Sequence, residues 1–217
     1  MREWLPPATL QFGPLQISWY AFWLVLSAAL VLLHLRASGA ALGPIGPAAL
    51  WCLAWGRAVH VLTYAEAFRG RPLGEWLQLD GISEHAALLA ALALHAALGR
   101  RHPILAERWW VAVPLIAAGA SIGCIPVGCG AGREVFWQTS GAHALAWQIR
   151  VDWPDPTLTR APRLPTQLLT AGWSVLWLVA LGMVLRREPR WRRYGPWLAA
   201  LGFGLGELII APLRLTL

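Results

Sequence analysis

The chain has 217 residues, of which 57% are hydrophobic and only 13% charged, and its mean hydropathy is positive; soluble domains carry about 25% charged residues. That balance excludes an ordinary soluble domain and points to an integral membrane protein, 1–217, folded as one all-α, polytopic helix bundle. The formal net charge is +7 and all 18 cations are arginine, but they fall in short clusters between apolar runs. They do not form the long basic face with stacking aromatics that nucleic acid requires, so no nucleic-acid partner is expected.

The N-terminal stretch MREWLPPATLQFGPLQ has an acid, two early prolines and no compact apolar segment with a small-residue cleavage site, so no cleaved signal peptide is expected. Six runs long enough to cross a core of about 30 Å follow: about Ile17 to Leu35, Pro47 to Ala67, Ile82 to Leu98, Trp109 to Gly128, Leu168 to Leu185, and Pro196 to Leu213. Tryptophans near their ends, among them Trp19, Trp51, Trp109 and Trp197, suit the headgroup level of a bilayer.

Loops after the first, third and fifth runs hold Arg36, then Arg100, Arg101 and Arg108, then Arg186, Arg187, Arg190, Arg192 and Arg193, against the acids Glu107 and Glu188. Arginine-rich short loops stay on the cytoplasmic side. Both termini and the connection 130–167 are therefore expected outside, the connection as a small external cap carrying Trp137, His143, Trp147 and a WPDP turn.

Charged groups inside a span cost a few kcal/mol and face a bundle interior or a wet cavity. Arg57 and His60 in the second run share a helix face at a spacing of three; Glu84, His85 and His95 lie in the third run and Glu207 in the sixth. These groups fit either a headgroup pocket, with a histidine as base and arginines on an anion, or an internal salt-bridge network that fixes packing. A lone histidine such as His95 fits a hydrogen-bonded residue better than a haem or pigment ligand, and no metal or cofactor is expected. Cys124 and Cys129 fit a disulfide, a nucleophilic cysteine or plain buried thiols; their spacing is a weak metal signal.

The order of the motifs ISWYAFW, GRAVH, LDGISEHAA, SIGCIPVGCGAGR, PRLPTQL and GFGLGELIIAPLR resembles that of bacterial prolipoprotein diacylglyceryl transferases over almost the whole chain. Those enzymes are polytopic inner-membrane proteins that move a diacylglyceryl group from phosphatidylglycerol to the lipobox cysteine of a prelipoprotein. The resemblance implies a bacterial inner (cytoplasmic) membrane location, with membrane phospholipid and a lipoprotein precursor as partners. It also implies His85 and Tyr20 as catalytic candidates, and Arg57, Arg133, Arg163 and Arg214 as cations for a lipid headgroup; Cys124, this chain's own addition, is a further catalytic candidate as a nucleophile. Pro162, Arg163, Pro165 and Gln167 match the family's Pro-Arg-x-Pro-Ser-Gln run, with Thr166 in place of serine.

The departures are specific. The family's Gly-Arg-x-Gly-Asn signature reads Ala120, Ser121, Ile122, Gly123, Cys124 here; a family glutamate becomes Thr170, and an arginine of the last matching helix becomes Glu207. Three functions follow from this mixture: a lipid transferase with altered donor or acceptor, a degenerate relative acting as accessory subunit of a larger membrane complex, or a thiol redox protein using Cys124 and Cys129.

Overall fold

The computed structural model describes residues 9–12, 15–70, 72, 76, 83–129, 131–135, 148–152 and 160–214. Two short strands, β1 (Thr9–Phe12) and β2 (Leu15–Ser18), pair antiparallel with Thr9 opposite Ser18 and Phe12 opposite Leu15. This hairpin was absent from the apolar-run reading, which follows length and misses a four-residue alternation. Helices follow: α1 (Trp19–Ala37), α2 (Ile45–Thr63), α3 (Ala65–Phe68), α4 (Glu84–Leu98), α5 (Pro103–Arg108), α6 (Ala112–Gly123), α7 (Thr166–Arg187) and α8 (Gly195–Ile210).

The fold is an all-α membrane helix bundle: α1, α2, α7 and the segment Pro189–Leu213 around α8 are each long and apolar enough to cross a bilayer. Their exposed leucines, valines and tryptophans, such as Leu50, Leu62, Leu176 and Leu208, are the surface a lipid solvent accepts. The third and fourth runs form shorter helices than their apolar length suggests. The 15 residues of α4 rise only about 22 Å, and α6 stops at Gly123. The fourth run does not continue as α-helix to Gly128, because a 3-10 turn with Pro126 intervenes and Gly128 takes the left-handed conformation (φ 72°) that glycine tolerates without steric cost.

The chain divides into two compact units, Met1–Leu33 with Trp110–Leu217, and His34–Trp109. In the first, α1 starts where Ser18 accepts a hydrogen bond from the Ala21 amide at 3.0 Å, and α1 packs on α6 through small residues. A Cβ added at Gly119 would run into the Ser27 side chain, and one at Gly123 would lie 2.9 Å from the Tyr20 Cα. Such close backbone approach is how helices associate where no hydrophobic force drives them together.

In the same unit α7 and α8 are joined by two stacked indoles, Trp173 and Trp177, with centroids 6.2 Å apart. The Trp173 Nε1 donates to the Gly202 carbonyl at 2.8 Å and the Trp177 Nε1 to the Leu198 carbonyl at 3.1 Å. Gly202 and Gly206 leave room for the rings. Pro114, Ser174, Ala199 and Phe203 join the two indoles around a void of about 10 Å³, room for at most one water.

In the second unit α2 packs on α4, and the bond from the Ser83 amide to the Gly56 carbonyl (3.0 Å) fixes where α4 begins. Ser83 is also its N-cap, accepting from the Ala86 amide at 3.3 Å. His95 is satisfied by a hydrogen bond, its Nδ1 accepting from the Trp109 indole at 3.0 Å.

Candidate functional site

Arg57 is buried in α2 at a place a bilayer would make expensive, so its charge must be matched. Its Nε donates to the Trp76 carbonyl at 2.8 Å, and its guanidinium carbon lies 5.1 Å from the centre of the Phe68 ring. The His60 ring stands 6.1 Å from the same ring and 4.9 Å from Tyr64. The helix face shared by Arg57 and His60 is thus real, and the group between them is Phe68, which no motif signalled. His85 is an exposed residue in the first turn of α4. It stands two residues beyond Ser83, whose amide is bonded to the carbonyl next to Arg57.

In the other unit four short segments lie side by side and form a clip. The Arg133 amide donates to the Leu213 carbonyl (2.8 Å), the Leu164 amide to the Arg133 carbonyl (3.1 Å) and the Val135 amide to the Pro162 carbonyl (2.8 Å). Arg163 and Val151 exchange both of their backbone hydrogen bonds at 2.9 Å. Gly132 has to be glycine, since a Cβ there would strike the Leu164 carbonyl. The clip gathers Arg133, Arg163 and Arg214, expected from sequence as headgroup cations, but leaves them unequal. Arg163 is 2% exposed and bonded to Glu134 at 2.9 Å. Arg214 grips Glu207 through both nitrogens, at 2.8 and 2.9 Å, and reaches the Thr170 hydroxyl at 3.0 Å. Arg133 is exposed and bends back to the Arg214 carbonyl at 3.4 Å.

Arg163 and Arg214, expected as headgroup cations, are each matched by a carboxylate of their own chain, which lowers their pull on a phosphate. Cys124 is not a free thiol. It forms a disulfide with Cys129, and a disulfide sulfur offers no thiolate. Just beyond, the Gln167 amide donates to the Cys129 carbonyl at 3.3 Å, tying the loop to the first turn of α7. Tyr20 sits at the start of α1 with its backbone against Gly123, next to Trp19, whose indole donates to the Ile122 carbonyl at 3.3 Å.

Glu134 and Thr170 were missed as partners. Glu134 adjoins Arg133 in sequence, and Thr170 stands one turn into α7 from Thr166; charge and position alone do not tell which arginine each will meet. Of the expected cap, residues 131–135, 148–152 and 160–165 are seen in or beside the clip, whereas Trp137, His143, Trp147 and the WPDP turn lie outside the described residues.

No curated protein matches the chain. The family model of prolipoprotein diacylglyceryl transferase matches residues 7–215. With nearly the whole chain covered, this protein belongs to the prolipoprotein diacylglyceryl transferase family.

Proposed function

We propose that the chain transfers a lipid group from a phosphatidylglycerol-type donor to the thiol of a lipoprotein precursor, at the outer leaflet of a bacterial inner membrane, with both termini on that side. Family membership supports the class of reaction, and the observation that carries the reading is the placement of His85. An exposed imidazole stands in the first turn of α4, and that turn is anchored to the backbone beside the buried cation Arg57.

In such a transfer a base removes the thiol proton and the sulfur attacks the glycerol carbon. A C–S bond forms, the C–O bond to phosphate breaks, and the phosphate leaves with the electron pair. His85 has the chemistry of the base. Arg57, in the same unit, is a cation suited to the charge that gathers on the departing phosphate. Labelled phosphatidylglycerol and a lipobox peptide, incubated with the purified protein, give a thioether-linked lipopeptide on this reading. His85→Ala lowers its rate by at least about 100-fold. An inactive wild-type protein refutes it.

A second reading, an accessory subunit without chemistry, is favoured by one observation: Arg214 is held by Glu207, so a cation that could meet phosphate is answered within the chain. Stable co-purification with other membrane proteins, together with no lipid turnover, would decide for it.

A further inference from the structure

The far end of the α7/α8 pair carries a different device. The clip binds the start of α7 and the chain beyond α8, so the turn between the two helices lies at their other end. The 22 residues of α7 place it about 33 Å away along the helix, roughly the thickness of a bilayer core. This turn, Pro189–Tyr194, and the last residues of α7 contain Arg186, Arg187, Arg190, Arg192 and Arg193 against a single acid, Glu188.

Not all five charges are available. Arg190 pairs with Glu188 at 3.1 Å, and Arg192 donates to the Leu185 carbonyl at 3.2 Å, closing the end of α7. Arg193 lies over the Tyr194 ring, 4.6 Å from its centre, and is exposed. Arg186 and Arg187 are exposed and make no ion pair or side-chain hydrogen bond with the described residues. Exposed apolar side chains adjoin these cations on both helices: Met183 and Val184 on α7, Trp197 and Leu201 on α8. Trp191 and Tyr194 are exposed beside them, rings that settle at the headgroup level.

We propose that Arg186, Arg187 and Arg193 form a binding site for the phosphate of an anionic phospholipid, with its acyl chains running along Met183, Val184, Trp197 and Leu201. This site belongs to the leaflet opposite the clip and takes no part in the transfer reaction. A lipid is the occupant, rather than a soluble acidic partner, because the cations rise directly from an apolar, aromatic-rimmed surface. A water-soluble ligand would leave that surface uncovered.

The test uses the full chain in phosphatidylcholine vesicles and compares the association of spin-labelled phosphatidylserine with that of spin-labelled phosphatidylcholine. Phosphatidylserine is expected to be preferred by about tenfold, since each interfacial arginine strengthens attraction to anionic lipid severalfold, and the preference should shrink as salt rises. The triple variant Arg186→Gln, Arg187→Gln, Arg193→Gln should lose it. Glu188→Gln, which releases Arg190, should raise it about twofold and keeps the test decisive if the triple variant folds poorly. A wild-type chain with no preference for the anionic lipid, or a folded triple variant that keeps it, overturns the proposal, as does a Glu188→Gln chain whose preference falls.

Discussion

Glu207 clasps Arg214 with both carboxylate oxygens, at 2.8 and 2.9 Å, and the same guanidinium reaches Thr170 on the neighbouring helix at 3.0 Å. One acid and one cation thus fasten the end of α8 to α7, at a position where the family resemblance called for an arginine in place of the acid. Breaking such a pair from one side leaves a charge partly shut away from water.

Glu207→Gln is therefore expected to destabilise the protein by about 2 kcal/mol, less than for a fully buried pair because Arg214 keeps some solvent. Removing both charges, with Glu207→Leu and Arg214→Met, should restore most of that loss. Melting in detergent over the full mutant cycle checks it; additive single effects would show that the two residues do not act as a pair.

Packing of α1 on α6 depends on bare backbone at Gly123. Gly123→Ala should cost about 1–3 kcal/mol, since its new methyl meets the Tyr20 backbone rather than a yielding side chain. Gly172→Ala on α7 has nothing within 4 Å and should be neutral or stabilising by about 0.5–1 kcal/mol. If both substitutions shift the melting temperature alike, the close approach is not what holds α1 in place.

Of the three cysteines, Cys52 alone is free. Thiol labelling of denatured, unreduced protein should find one reactive group, and three after reduction. Cys124→Ser should remove about 2 kcal/mol of stability, as expected for closing a short loop. It should leave lipid transfer within about threefold, far from the loss expected of a nucleophile. Three labels without reductant, or loss of transfer in a folded Cys124→Ser protein, count against this assignment.

Phe68 shares its ring between Arg57 and His60. Phe68→Leu keeps the bulk but removes the π face, and should cost about 1 kcal/mol through the arginine. In Arg57→Leu the same change should cost less, because no cation remains to feel it. Equal penalties in both backgrounds would mean that the ring only fills space.

Much of the bundle was readable from apolar length alone: the run Ile17 to Leu35 became Trp19–Ala37, and Leu168 to Leu185 became Thr166–Arg187. Hydropathy failed where an apolar sequence carries its own helix stop. Ile125, Pro126 and Val127 are all apolar, yet proline cannot continue the helix as an ordinary residue would, and α6 had already ended at Gly123. The clip was illegible for a different reason, since its hydrogen bonds are between backbones far apart in sequence and name no side chain. Glu207 and Arg214 stand seven apart, but α8 ends at Ile210 and Arg214 is extended, so helical spacing did not signal their pairing.

Arg133 meets Arg214 across 81 positions of chain, and the central strand of the clip lies between that late segment and the one leading into α7. During synthesis α1 and α6 can be seated early, but the segment at 131–135 stays half-paired until the chain beyond α8 has been made. This surface therefore cannot assemble before Leu213 and Arg214 have been made, and a ribosome that stalls within α8 would leave the arginines ungathered.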